Sequence, residues 1–135
     1  MTTTDTFSLL HDQTEMTIAK LSSPVTLPSK ARHLYSLSVS HDELSIVAPT
    51  QWLKDKPVIE AQHHWQAIKI DETLDFSMVG VLANMAQQLA QANISIFVVS
   101  TFNTDYLLVQ NKHIGKTLMT LRQQGHNIRS VNSFD

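Results

Sequence analysis

The sequence of 135 residues contains no cysteine and only three glycines. Without cysteine the chain can form no disulfide, has no thiol nucleophile and offers no thiolate to a metal, which is usual for proteins of a reducing compartment. Three glycines leave little material for a glycine-rich phosphate loop, and no serine elbow or paired-carboxylate motif is present. We therefore predict a cytoplasmic protein with no catalytic residues and no cofactor.

Charge of one sign is also scarce. Twelve acidic residues face ten lysines and arginines, so the net charge is -2 when the seven histidines are neutral. A nucleic-acid interface needs a basic patch, yet no lysine or arginine occurs between Asp71 and Asn111. We expect no nucleic-acid partner.

Long hydrophobic runs are absent as well. The densest apolar stretches, Ile94–Val99 and Tyr106–Val109, have the length of strands, and the N-terminus lacks the basic flank and apolar core of a signal peptide. We therefore expect no membrane association. Hydrophobic residues make up 42% of the chain, enough for one sizeable core or for two small modules that share a core.

The residues after Gln62 alternate between strand-like and helix-like patterns. We predict a strand, a helix, a two-stranded hairpin, a second helix and a last strand: Trp65–Asp71, Ser77–Ala92, Ile94–Thr101 with Tyr106–Gln110, a helix capped by Asn111 that ends before Gly125, and Asn127–Val131. This order predicts a ferredoxin-like α+β fold in which two helices cover one face of a four-stranded antiparallel sheet. Because Ile94–Thr101 is apolar on both faces, we expect the second face to be covered too.

The first 62 residues are predicted to be rich in strands. Met16–Leu21 suits a strand, Leu34–Ser40 with Leu44–Ala48 suits a hairpin, and Val58–Ala61 suits a closing strand. The twelve residues before the hairpin contain two prolines and are too few for a full helix. We predict a shortened N-terminal half, residues 1–62, that covers the second face or the edge of the C-terminal sheet.

The seven histidines raise the question of a metal or catalytic site. His63 and His64 are adjacent in a predicted strand, where neighbours point to opposite faces and do not readily share a metal. His11 and Asp12 are also neighbours, and neighbours seldom form the geometry of a base and the carboxylate that orients it. We predict neither a metal site nor a catalytic pair.

The segments LDFS, GVLA, ISIF and TDYLLV, which lie within Leu74–Val109, resemble ACT domains, in particular the small two-part proteins related to CASTOR amino-acid sensors. DELSIVAP at Asp42–Pro49 resembles the N-terminal half of the same proteins. The resemblance implies a ferredoxin-like βαββαβ ACT domain, residues 63–135, preceded by a shortened ACT-like half. It further implies a regulatory protein that binds an amino acid or similar small metabolite, acts on a protein partner and forms a homodimer.

In ACT domains the ligand lies near the loop between the first strand and helix and near the second strand with its turn, here Asp75–Gly80 and Ile96–Asp105. Amides at a helix N-terminus suit a carboxylate, and Asp105 or the backbone of residues 101–103 would hold the ammonium. Phe102 and Asn103 stand where relatives often carry Tyr and Asp, which weakens the case for a cationic ligand such as arginine. The expected ligand-binding residues are Asp75, Phe76, Ser77, Gly80, Ile96, Ser100, Thr101, Asn103, Thr104 and Asp105.

A simpler interpretation of the same residues remains open. Asp75 and Ser77 can cap a helix, and residues 103–105 can make a turn, without any ligand. The chain would then be a protein-interaction module of the same fold.

Overall fold

The computed structural model of the protein describes residues 6–72 and 80–135. Within these ranges one seven-stranded sheet carries two α-helices on one face. The strands are β1 (Ser8–Leu21), β2 (Ser36–Val39), β3 (Leu44–Pro49), β4 (Val58–Ile70), β5 (Ile96–Ser100), β6 (Asp105–Gln110) and β7 (Asn127–Val131), and the helices are α1 (Val81–Gln91) and α2 (Ile114–Gln123). Short 3-10 helices occur at Trp52–Asp55 and Asn111–His113. No helix in the described ranges is long and apolar enough to span a membrane.

The order β4-α1-β5-β6-α2-β7 confirms the predicted β-α-β-β-α-β succession and the ferredoxin-like α+β fold. The sheet order is β2-β3-β1-β4-β6-β5, and β7 pairs with β1. The predicted N-terminal hairpin is confirmed as β2 and β3, which pair antiparallel from Ser36↔Val47 to Val39↔Leu44. The segments Val58–Ala61 and Trp65–Asp71, predicted as two strands, form the single strand β4 of 13 residues.

The predicted four-stranded antiparallel sheet is wrong in one respect, because β1 lies between β4 and β7. Residues 8–12 of β1 pair antiparallel with β4 and parallel with β7, where Leu9 is opposite Ile128. The sequence pattern hid this part of β1, since His11 and Asp12 interrupt the apolar alternation. Both side chains are nevertheless buried, because their polar atoms are hydrogen-bonded inside the protein.

Strands β1 and β4 each pair with strands from both halves of the chain. Beyond its contact with β7, β1 pairs with β3 from Met16 to Lys20. The register between β1 and β4 shifts between Asp12 and Met16, and His64 on β4 has a positive φ of 70°. An irregularity of this kind bends a strand locally. The bend lies beside the predicted boundary at residues 62 and 63, and the division into two domains stays a prediction.

The main core lies between the sheet and the two helices. Met85 and Leu89 of α1 and Leu121 of α2 are buried there, as their helical spacing predicts. The sheet contributes Leu9, Ile68, Ile70, Leu107, Val109 and Ile128. Full burial of one such leucine stabilises the fold by about 1.5–3 kcal/mol.

The second face of the sheet is covered only in part. Trp65 and Leu108 pack there against Leu34, which precedes β2, and Phe134 adds to the cluster from the C-terminus. The N-terminal half thus extends the sheet sideways through β1 and β3 and also covers part of this face, as expected. The expectation that Ile94–Thr101 is covered on both sides is wrong: β5 is an edge strand, and Phe97 is 39% exposed.

The C-terminal ends of both helices follow the sequence, whereas the predicted N-terminal caps of the first helix, Asp75 and Ser77, lie outside the described residues. Asn93 and Gly125 have positive φ values of 63° and 95°, as predicted for residues that terminate a helix. After α2, the His126 amide donates to the carbonyl of Leu121 over 3.2 Å. Asn111 does not cap α2, because a 3-10 turn intervenes and its side chain accepts a hydrogen bond from the sheet instead.

Candidate functional site

The β5–β6 turn is closed by hydrogen bonds between two threonines. The Thr101 amide donates to the Thr104 carbonyl oxygen over 2.8 Å, and the Thr101 hydroxyl donates to the same oxygen over 3.1 Å. The Thr104 amide donates in return to Thr101 Oγ1 over 3.3 Å. Short side-chain bonds of this type hold a turn in one conformation. Ser100 and Asp105, the last strand pair before the turn, are therefore held at a fixed separation.

Thr104 also ties this turn to the end of β4. Its side chain is buried, and its hydroxyl donates to the Ile70 carbonyl over 2.6 Å. Directly after Ile70, the Asp71 amide donates to the Ser8 carbonyl over 2.8 Å, and the Ser8 amide donates to Glu72 Oε2 over 3.1 Å. The turn, the end of β4 and the start of β1 thus meet at one end of the sheet, where the chain leaves β4 for α1.

This end of the sheet is acidic. Asp71, Glu72 and Asp105 lie there, and the Nζ atom of Lys69 is 3.6 Å from Asp71 Oδ1. Burial raises the pKa of the Tyr106 hydroxyl, and the Asp71 charge raises it further. Asp105 is half-buried and forms no ion pair with another described residue. An uncompensated carboxylate in this position favours a cationic group such as an ammonium.

The structure brings together five of the ten expected binding residues at the turn: Ser100, Thr101, Asn103, Thr104 and Asp105. Gly80 immediately precedes α1 with φ of 86°, and a Cβ built there meets no atom of the described residues within 4 Å. The left-handed backbone explains this glycine, since a residue with a side chain would be strained there.

Ile96 lies apart from the turn. It begins β5, four residues or about 13 Å before Ser100, and packs against the helix-side core. Asp75, Phe76 and Ser77 lie outside the described residues, as do the amides expected to hold a carboxylate.

A buried carboxylate that the sequence reasoning missed lies at the register shift of β1. Asp12 is fully buried, accepts the Thr14 amide over 3.0 Å, and has its other oxygen 2.6 Å from His33 Nδ1. His33 precedes β2 and is separated from Asp12 by 21 positions, so no local pattern pairs them. The expectation that His11 and Asp12 form no catalytic pair fits this geometry, because Asp12 is engaged elsewhere.

His11 belongs to a separate polar chain across the sheet. Its Nδ1 lies 2.8 Å from Ser130 Oγ on β7, and its Nε2 lies 2.6 Å from Gln66 Oε1 on β4. Gln66 Nε2 donates in turn to Asn111 Oδ1 over 3.1 Å. These bonds satisfy polar groups that would otherwise be costly to bury.

The adjacent histidines behave differently from the expectation. The positive φ of His64 breaks the strand alternation, so the reasoning that His63 and His64 face opposite sides is wrong. Their ring centroids lie 6.2 Å apart, and both line one cleft. Within residues 6–72 and 80–135, no three histidine or acidic side chains are grouped as metal ligands.

Comparison with known proteins gives a family match over the C-terminal unit. Residues 60–123 match the model of the ACT domain. The human protein "Cytosolic arginine sensor for mTORC1 subunit 1" is 34% identical over 67 residues, which is 49% of this chain but only 20% of that protein. The chain thus spans about a fifth of the length of the curated relatives it matches.

Two crystal structures resemble nearly the whole chain. A protein of Agobacterium tumefaciens superposes with a TM-score of 0.80 and 28% identity, over 94% of this chain and 95% of that one. The regulatory subunit of aspartate kinase from Thermus thermophilus superposes with a TM-score of 0.58 and 12% identity, over 90% of this chain and 99% of that one. The second likeness concerns the fold alone. Sequence and fold agree, and residues 60–123 of this chain are an ACT domain.

Proposed function

We propose that this protein is a non-catalytic regulatory module of the cytosol that binds an amino acid, or a similar small metabolite, at the end of the sheet formed by the β5–β6 turn and the end of β4. The observation that supports this most is the Thr104 tether, which joins the β5–β6 turn to the end of β4, where the chain leads into the loop that carries the ligand in ACT domains. The printed name of the human relative, a cytosolic arginine sensor, points to the same class of ligand.

The charges at this end of the sheet suggest which segment would bind the ammonium of the ligand and which its carboxylate. Asp105 is rigidly placed by the turn and lacks a charged partner among the described residues, so it suits the ammonium of the ligand. The ligand carboxylate would be held by amides around residues 76–79 and by the approach to α1, for which Gly80 leaves open space among the described residues. Asn103 stands where relatives often carry Asp, Asp71 is paired with Lys69, and Glu72 accepts the Ser8 amide, so we propose an amino acid with a neutral side chain.

The proposal is tested by thermal unfolding of the purified protein with each of the twenty amino acids. A ligand at 100 times its dissociation constant stabilises the native state by about 2.7 kcal/mol. For a chain of 135 residues this raises Tm by roughly 10 °C. We expect one or two amino acids to do so. A flat profile for all twenty would refute the proposal.

A pair of matched variants locates the effect. Asp105→Asn removes the charge at the proposed site, whereas Asp42→Asn makes the same change in the exposed β2–β3 turn. We expect Asp105→Asn to abolish most of the ligand-induced rise in Tm and Asp42→Asn to preserve it. Equal responses in both variants would place the ligand elsewhere.

Exposed apolar groups on the β5–β6 hairpin support a second function, that of a protein-interaction module. Phe97 on the edge strand is 39% exposed and Phe102 in the turn is 83% exposed.

An edge strand can also accept another strand, so we propose that β5 pairs two copies in a homodimer. Sedimentation of the wild type and of a Val98→Pro variant checks this, because proline interrupts strand pairing. A monomeric wild type would exclude the homodimer.

A further inference from the structure

An open cleft lies at the opposite end of β6 from the turn. It has a volume of about 440 Å³ and is lined by His63, His64, Gln110, Asn111 and Lys112. Strand β6 runs from Asp105 at the turn to Gln110 at the cleft, a distance of about 17 Å. The cleft is therefore separate from the proposed amino-acid site.

Both histidines of the cleft are oriented by neighbouring side chains. His63 Nδ1 lies 2.8 Å from Thr17 Oγ1, and His64 Nδ1 lies 2.9 Å from Glu15 Oε1. The hydrogen bond from His64 holds the pKa of the Glu15 carboxyl below its usual value, so Glu15 is ionised and can only accept. The Nε2 atom of each imidazole has no hydrogen-bond partner among the described residues and is available to a ligand.

The direction of the Asn111 amide follows from the polar chain beneath it. The Gln66 carbonyl oxygen can only accept, so His11 donates from Nε2. Gln66 then donates its own N–H to the carbonyl oxygen of Asn111. Asn111 thus uses its carbonyl oxygen toward the sheet, and its Nδ2 amide, which can only donate, has no partner among the described residues.

We propose that this cleft binds a small oxyanion, the phosphate or carboxylate group of a metabolite. The ammonium of Lys112 supplies the charge and the Asn111 amide supplies a directed N–H donor, while the His63 ring lines the same cleft. Hydrogen bonds from a charged donor to an oxyanion are about twice as strong as neutral ones, and neighbouring neutral donors fix the orientation of the anion. Glu15 accepts the hydrogen bond from His64 and keeps that ring in place.

The change Asn111→Asp tests the donor role directly. The new carboxylate still accepts the hydrogen bond from Gln66, so the polar chain is kept, but a donor facing the cleft is replaced by an anionic acceptor. Titration of the full chain with inorganic phosphate and, separately, acetate is followed through the imidazole signals of His63 and His64 by NMR, at ionic strength held constant with chloride. We expect saturable shifts with a dissociation constant on the order of 1 mM.

The Asn111→Asp variant distinguishes an anion site from a metal site at the same cleft. An oxyanion site predicts binding at least about tenfold weaker in Asn111→Asp. A metal site on the two imidazoles predicts no phosphate response and tighter Ni²⁺ binding in that variant, because a carboxylate is a better metal ligand than an amide. Tighter Ni²⁺ binding without a saturable anion response would overturn the proposal.

A lysine pair keeps the test independent of folding. Lys112→Gln removes the exposed ammonium at the cleft, and Lys116→Gln removes an exposed ammonium one helical turn further on α2. We expect the affinity for phosphate to fall about three- to tenfold in Lys112→Gln and to change little in Lys116→Gln. Equal losses in the two variants would mean that only the overall charge matters, and would refute a specific site.

Discussion

Replacing Thr104 by valine tests whether the tether to β4 fixes the β5–β6 turn. Valine matches the shape of threonine but removes the hydroxyl that donates to the Ile70 carbonyl over 2.6 Å in a buried position. The change loses a net hydrogen bond and leaves a buried acceptor unpaired, which together cost about 1–2 kcal/mol. With an unfolding entropy of about 0.28 kcal/mol/K for a chain of this length, we expect Tm to fall by about 4–7 °C.

The matched control is Thr120→Val. The Thr120 hydroxyl donates over 2.8 Å to the Lys116 carbonyl of its own helix, at the surface, where water replaces a lost hydrogen bond. We expect its Tm to change by less than about 2 °C. Differential scanning calorimetry of both variants decides the matter. If Thr104→Val is no less stable than Thr120→Val, the tether does not hold the turn, and the reasoning that places Asp105 is refuted.

Three further predictions concern groups outside the turn. Asp12→Ala should lower the free energy of unfolding by about 2–4 kcal/mol in urea titrations, because it removes the buried acceptor of His33; a loss below about 0.5 kcal/mol would contradict this. Gly125→Ala should lower the free energy of unfolding by about 1–2 kcal/mol, since φ is 95° there and the added Cβ would lie 2.9 Å from Thr6 Cγ2. An unchanged Tm would show that neither the backbone strain nor the close contact destabilises the variant. Burial lowers the pKa of His126, so the folded state binds its proton less readily than the unfolded state does. This contribution to stability is complete above the ordinary pKa of 6.5 and is lost as the pH falls from there through the lowered pKa of the folded state. His126→Gln should remove that part of the pH dependence of Tm. The same slope in both proteins would assign the effect to another group.

The succession of elements in the C-terminal unit followed from the sequence because each element has a clear period. Met85 and Leu89 recur at helical spacing and are buried, and Gly125 marks the end of its helix by its positive φ. The place of β1 did not follow. Its first half carries the buried polar residues His11 and Asp12, and a hydrophobic pattern cannot show that such residues are satisfied by partners on other strands.

The candidate site was predictable to a similar extent. A turn at residues 102–105 follows from local chemistry, since Asn and Asp favour turns, although the structure closes it through Thr101 and Thr104. Its attachment to β4 does not, because Thr104 bonds a backbone carbonyl 34 positions away. The cleft of His63 and His64 was missed for a different reason: the left-handed backbone at His64 violates the alternation on which the strand argument rests.

The most direct test of the amino-acid site is an amide NMR spectrum of the protein recorded with pooled amino acids. The account predicts saturable shifts at Gly80 and in the segment Ser100–Asp105, carried by one or two members of the pool and lost in Asp105→Asn. A spectrum without shifts in that segment, or one whose shifts are confined to the cleft of His63 and His64, would contradict it.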